Sequence, residues 1–137
     1  MITAVDSNVL LDVVGADAAY GPASAAALRR VIHEGHLVAC EVVWAEVAGS
    51  FASASAAQAA LELLDLEFSP LTREAALEAG IAWRVYRQHG GTRTRVTADF
   101  LIGAHALLQA DRLLTRDRGF YRSYFKGLVI LDPSHRA

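Results

Sequence analysis

Short apolar runs rich in β-branched residues alternate along this chain with longer amphipathic stretches. Ile2 to Val5 is apolar and switches at Asp6 to three small polar residues, Asp6-Ser7-Asn8. That pattern predicts a buried strand delivering a carboxylate at its C-terminal end. Asn8 to Val14 reads as a short helix stopped by Gly15, with Asp12 facing solvent. Pro22 in a first turn and Gly35 as a stop bracket a helix over Ala23 to Glu34, with Ala27, Leu28, Val31 and Ile32 as its apolar stripe. Leu37 to Cys40 predicts a second strand. A helix over Glu41 to Ser50 turns Val43, Trp44 and Val47 to the core and carries Glu46 in its middle, and another follows over Ala54 to Asp65 with Leu61 and Leu64 inward.

Leu66 to Leu71 includes a third strand cut off by Pro70. Thr72 as N-cap and Glu74 in the first turn open the longest helix, which runs to His89 before Gly90-Gly91 ends it. Thr92 to Arg95 is expected as an exposed loop, and a helix runs from Val96 or Thr97 through Ala110. Strands over Arg112 to Thr115 and Leu128 to Leu131 follow, with a loop from Gly119 to Gly127 between them. About five strands alternating with helices of ten or more residues predict a single α/β domain, a parallel sheet flanked by helices on both faces.

Composition narrows the setting. At 137 residues the chain suits one domain. It is 53% hydrophobic, yet no apolar run approaches a membrane span, so neither insertion nor export is expected. The single cysteine, Cys40, excludes an internal disulfide and ends an apolar run, where a thiol packs as a small hydrophobe. A cytoplasmic setting fits. The net charge of −2 conceals an asymmetry: residues 1 to 67 hold nine acids against two bases, whereas Arg84 to Lys126 holds nine bases against three acids. A basic second half points to a polyanionic partner, or to a solvated helix face.

Three further acids share the character of Asp6. Asp117 lies just past the predicted fourth strand, Asp99 in a first helical turn beside Phe100, Leu101 and Ile102, and Glu46 among Val42, Val43, Trp44 and Val47 in a helix expected to be buried. Each has an ordinary account taken singly, as a cap or a dipole partner. Together they suggest more, because isolated carboxylates in apolar surroundings lose hydration and protonate unless a shared cation compensates. Strand ends carrying Asp6 and Asp117 would meet in a parallel sheet, and oxygen ligands without His or Cys favour Mg²⁺ or Mn²⁺.

These residues resemble a known family. Asp6-Ser7-Asn8-Val9-Leu10-Leu11, Trp44-Ala45-Glu46-Val47, Thr97-Ala98-Asp99-Phe100-Leu101-Ile102-Gly103-Ala104-His105-Ala106 and Leu114-Thr115-Arg116-Asp117-Arg118-Gly119-Phe120 look like the four acidic motifs of PIN-domain nucleases. Length and spacing are most similar to the VapC-type toxins of toxin–antitoxin pairs. The resemblance spans essentially the whole chain and implies a single PIN-like domain that is a metal-dependent endoribonuclease. It implies Asp6, Glu46, Asp99 and Asp117 as metal-binding and catalytic residues, supported by Ser7, Asn8 and Thr115. It also implies RNA as substrate, a cognate antitoxin protein and a homodimer. Gly103 stands where the family more usually has alanine, a departure expected to loosen that helix slightly. Arg93, Arg95, Arg116 and Arg118 flank Asp99 and Asp117 and are the expected phosphate contacts.

The alternatives are a PIN-type nuclease acting on DNA or in RNA processing, and a non-catalytic module whose acids dock a basic peptide. His33 and His36 are expected at a helix end, short of a zinc ligand set. His105 falls about 240° round the helix from Asp99 and is expected to pack or hydrogen-bond. Trp44, Trp83, Tyr86 and Phe100 read as core or dimer contacts.

Overall fold

The computed structural model describes residues 1–91 and 97–134. Its elements run β1 (Ile2–Val5), α1 (Ser7–Val14), α2 (Gly21–Glu34), β2 (His36–Ala39), α3 (Glu41–Ala48), α4 (Ala54–Leu63), β3 (Leu66–Phe68), α5 (Arg73–Gln88), α6 (Thr97–Gln109), β4 (Arg112–Leu114), α7 (Arg118–Tyr124) and β5 (Ile130–Leu131). The strands form one all-parallel sheet in the order β3-β2-β1-β4-β5. The first three step outward from β1, after which the chain crosses back to place β4 on the other side of β1. Right-handed crossovers then put the helices before and after that return on opposite sheet faces. The crevice between the carboxyl ends of β1 and β4, where the winding reverses, is the position at which such sheets bind ligands.

The central strand is apolar because both of its faces are covered. Thr3, Ala4 and Val5 are buried, as are Leu37, Val38 and Ala39 of β2 and Leu113 and Leu114 of β4. Cys40 is buried at the start of α3, where burial pushes its thiol above the ordinary range and leaves it inert. The expected Thr72 cap forms, accepting a backbone N–H of the first turn of α5, and Ser53 does the same for α4. Among the described residues no helix is long and apolar enough to cross a membrane.

Two features differ from the sequence reading. Residues 119–124, the first part of the segment expected as loop, lie in helix α7, which packs on α5 and brings Phe120 and Tyr124 against Phe100 of α6. Phe100 sits among these rings, with centroids 5.2 Å from Phe120, 5.4 Å from Tyr86 and 6.0 Å from Tyr124. Gly103, expected to loosen α6, is instead a close-packing position: a Cβ there would stand 2.4 Å from the Phe125 ring, which is only 2% exposed and has nowhere to go. Val96, one expected start of α6, lies outside the described residues. On the outer face of α5, Leu77, Ile81 and Val85 form an exposed stripe.

Candidate active site

Asp6 is placed by the junction of two elements. Its N–H completes the ladder to Leu114 O, 3.0 Å away, and its side chain caps α1 by accepting the Ser7 N–H at 2.8 Å. The second carboxylate oxygen, Oδ2, accepts from Thr115 Oγ1 at 2.8 Å and from the Tyr121 hydroxyl at 3.0 Å. The Asn8 amide lies 3.4 Å from that oxygen and 3.3 Å from Thr115 Oγ1, which in turn accepts the Asp117 N–H at 3.0 Å. Ser7, Asn8 and Thr115 therefore all lie around Asp6.

Every one of these partners is neutral. Asp6 is 5% exposed, and burial is the largest influence on its acidity. Hydrogen bonds from Thr115 and Tyr121 pull the other way and the charge of Asp99 adds to the burial, so its pKa rises from 3.8 to about 6. Tyr121 is 1% exposed, and burial together with the charges of Asp6, Asp99 and Asp117 holds its hydroxyl protonated, able to donate to Asp6. The charges of Asp99 and Asp117 thus reach the hydroxyl that donates to Asp6. Glu46 joins through Ser7, whose hydroxyl donates to Glu46 Oε1 at 2.9 Å. Glu46 itself is exposed, against the expectation of a buried helix, because Val43 and Val47 form the inward stripe of α3 and Glu46 lies off it.

Tyr121 was not among the residues singled out from sequence. Its signal was faint: aromatic residues at 120, 121, 124 and 125 carry helical spacing, but over too short a stretch to establish a period.

The arginines divide. Arg116 does not face the crevice alone; Nε and Nη2 grip Asp12 Oδ2 and Oδ1 at 2.7 and 3.0 Å. Asp12, expected in solvent, is 5% exposed and also accepts from Ser24 Oγ at 2.8 Å. Arg118 lies beside Asp132, Nε to Oδ2 3.6 Å. Arg93 and Arg95 lie outside the described residues. Away from the crevice, His105 is buried and bonded to Ser69 Oγ at 2.9 Å, with burial holding it below the ordinary histidine range. His36 opens β2 at the opposite end of the sheet and pairs with Glu67.

Among the described residues no group of three or more acidic, His or Cys side chains forms a ready-made cage for an ion. The donor set nonetheless fits a hard divalent cation. All its ligands are oxygens, and the buried Asp6 is held partly protonated by an environment that a nearby positive charge would reverse. Mg²⁺ keeps several waters and needs only one or two direct carboxylates, so a closed cage is not required.

Solved structures share this fold. A chain of VapBC2 from Rickettsia felis, crystallised bound to a DNA fragment from its promoter, aligns with TM-score 0.75 and 18% identity over 96% of this chain and 98% of that one. VapBC-1 from nontypeable Haemophilus influenzae aligns with TM-score 0.74 and 19% identity over 98% and 100%. A toxin–antitoxin complex from Klebsiella pneumoniae aligns with TM-score 0.65 and 16% identity over 98% and 99%. No curated protein matches by sequence. The family model described as PIN domain matches residues 3–126, a span holding all four acids, and on that match the chain belongs to the PIN domain family.

Proposed function

We propose that this protein is a Mg²⁺- or Mn²⁺-dependent endoribonuclease, the toxin of a toxin–antitoxin pair, acting in the cytoplasm. The observation that carries the reading is Asp6: a carboxylate buried at the sheet's switch crevice, surrounded by neutral donors, with its pKa raised to about 6 and Asp99 near enough to contribute. A protein that only needed a stable fold gains nothing from such a group, whereas a cation site needs it.

Asp6, Glu46, Asp99 and Asp117 would hold the metal. When bound, the ion would activate water at neutral pH and offset the charge that develops as a phosphodiester is hydrolysed. The chain's own residues set the geometry. Thr115 and Tyr121 fix Asp6 through Oδ2, and Ser7 ties Glu46, through its hydroxyl, to Asp6, through its backbone N–H. Tyr121, held protonated, orients without competing as a ligand. Arg118 at the mouth, with Arg93 and Arg95 from outside the described residues, would bind RNA phosphates.

The likeness to VapBC chains and to a toxin–antitoxin complex supports a cognate antitoxin protein as partner. The exposed apolar stripe of α5 supports a homodimer. The test is cleavage of RNA by the purified protein with Mg²⁺ or Mn²⁺, its loss with a chelator, and its loss in Asp6→Asn and Asp99→Asn. Either variant cutting RNA at the wild-type rate would overturn the site. Cleavage of DNA but not RNA would favour the DNA-directed alternative, and peptide binding without cleavage the binding module. Growth arrest on induction of the wild type, but not of Asp6→Asn, tests the toxin assignment.

A further inference from the structure

We propose that Asp12 and Arg116 form a positioning pair that sets the turn between β4 and α7, and through it Asp117, so that Arg116 serves the metal site and not the RNA backbone. The inference rests on the metal-dependent reading above. Arg116 sits between two residues of the site. On one side Thr115 donates to Asp6, and on the other Asp117 donates its N–H back to Thr115 Oγ1 at 3.0 Å.

That turn is tied down chiefly by residue 116. Its N–H donates to Asn8 Oδ1 at 3.3 Å, and its guanidinium meets Asp12 in a two-point fork at 2.7 and 3.0 Å. The Tyr20 ring lies against the guanidinium, 4.0 Å from its central carbon. Ser24, fully buried on α2, donates to the same Asp12 oxygen that Nε grips, at 2.8 Å. Helices α1 and α2 and the turn are thereby locked around one ion pair. A planar fork fixes both distance and angle, which a lysine ammonium cannot do. A guanidinium committed to a buried carboxylate on one edge and stacked on an aromatic ring is poorly placed to serve as a mobile phosphate clamp.

The measurement is Mn²⁺ affinity, read from the electron paramagnetic resonance signal of the free ion, beside the salt dependence of RNA binding. Residues that orient metal ligands from behind typically cost 10- to 100-fold in affinity, so Arg116→Gln and Asp12→Asn are each expected to weaken Mn²⁺ binding by about that factor. Because both break the same pair, the double variant should be no weaker than either single one. Arg116→Lys should rescue little, and the salt slope of RNA binding should stay at its wild-type value in all of them. Ser24→Ala, which only loosens Asp12, should remain folded and weaken Mn²⁺ by a smaller factor, about 2- to 5-fold. Wild-type Mn²⁺ affinity in Ser24→Ala and in whichever pair variants fold would overturn the proposal. So would a salt slope lowered by about one in Arg116→Gln alone, the signature of a lost phosphate contact. Wild-type protein that bound no Mn²⁺ would instead remove the metal reading beneath it, so the two failures are distinct.

Discussion

Asp6 and Asp12 lie six residues apart, and each is 5% exposed. Each accepts from hydroxyl groups, yet they are compensated in opposite ways. Asp12 meets a guanidinium in a two-point fork, so its charge is answered inside the protein. Asp6 meets a backbone N–H, a threonine, a tyrosine and an amide, all neutral, and its acidity is pushed toward pH 6. Burial alone does not tell these two acids apart. What separates them is the charge of their partners, a guanidinium at Asp12 and neutral donors at Asp6.

The comparison can be broken most forcefully at Asp6 itself. Asp6→Asn should lower cleavage more than about 100-fold, beyond the range typical of residues that only support a metal ligand. A metal-supplemented RNA cleavage assay on folded protein checks this.

Next in size is a pH effect on the metal-free protein. With a folded pKa raised from 3.8 to about 6, the folded chain keeps a proton between those values that the unfolded chain has lost. Stability should therefore fall as pH rises through that window, by up to about 3 kcal/mol, and remain lower above it. Denaturant unfolding in chelator from pH 4 to pH 7.5 measures the slope. Asp6→Asn should flatten it and Asp12→Asn should leave it in place.

Asp12→Asn should instead cost about 2 kcal/mol near neutral pH, where the pair is broken outright. The loss is below that of a fully buried broken pair because Arg116 keeps 28% side-chain exposure and can recover water. Equal pH slopes in the two aspartate variants would erase the distinction between the acids. The smallest effect belongs to Tyr121→Phe. Removing one donor from Asp6 Oδ2 should destabilise by about 1 kcal/mol. It should also move the pH midpoint upward, since the lost hydrogen bond favoured the charged carboxylate.

How much of this was readable beforehand follows from distance along the chain. Asp6 and Asp117 could be found because a strand end is a local pattern, and a parallel sheet says where strand ends go. Thr72 announced α5 for the same local reason. Asp12 could not be read correctly, because the cation that draws it inward lies 104 residues away. Glu46 misled in the other direction: α3 is only eight residues long and nearly all apolar, so no period marked which side faced out. Gly103 looked like a weak helix former until Phe125, from beyond the next strand, proved to occupy the space of its missing Cβ.

The order in which Asp6 acquires its partners bears on how the protein is made. The acid leaves the ribosome well ahead of the Thr115 and Tyr121 hydroxyls that orient it, which lie 109 and 115 positions later. At ordinary translation rates that gap lasts on the order of ten seconds. Strand β1 likewise waits for β4 before its second edge is paired. Long-range pairings of this kind close late in folding, because the entropy of the intervening chain must be lost before they form. A chain not yet extended past α7 therefore carries Asp6 and Glu46 without the hydroxyls of Thr115 and Tyr121 that orient Asp6, and the crevice takes its shape only once β4 and α7 have been made.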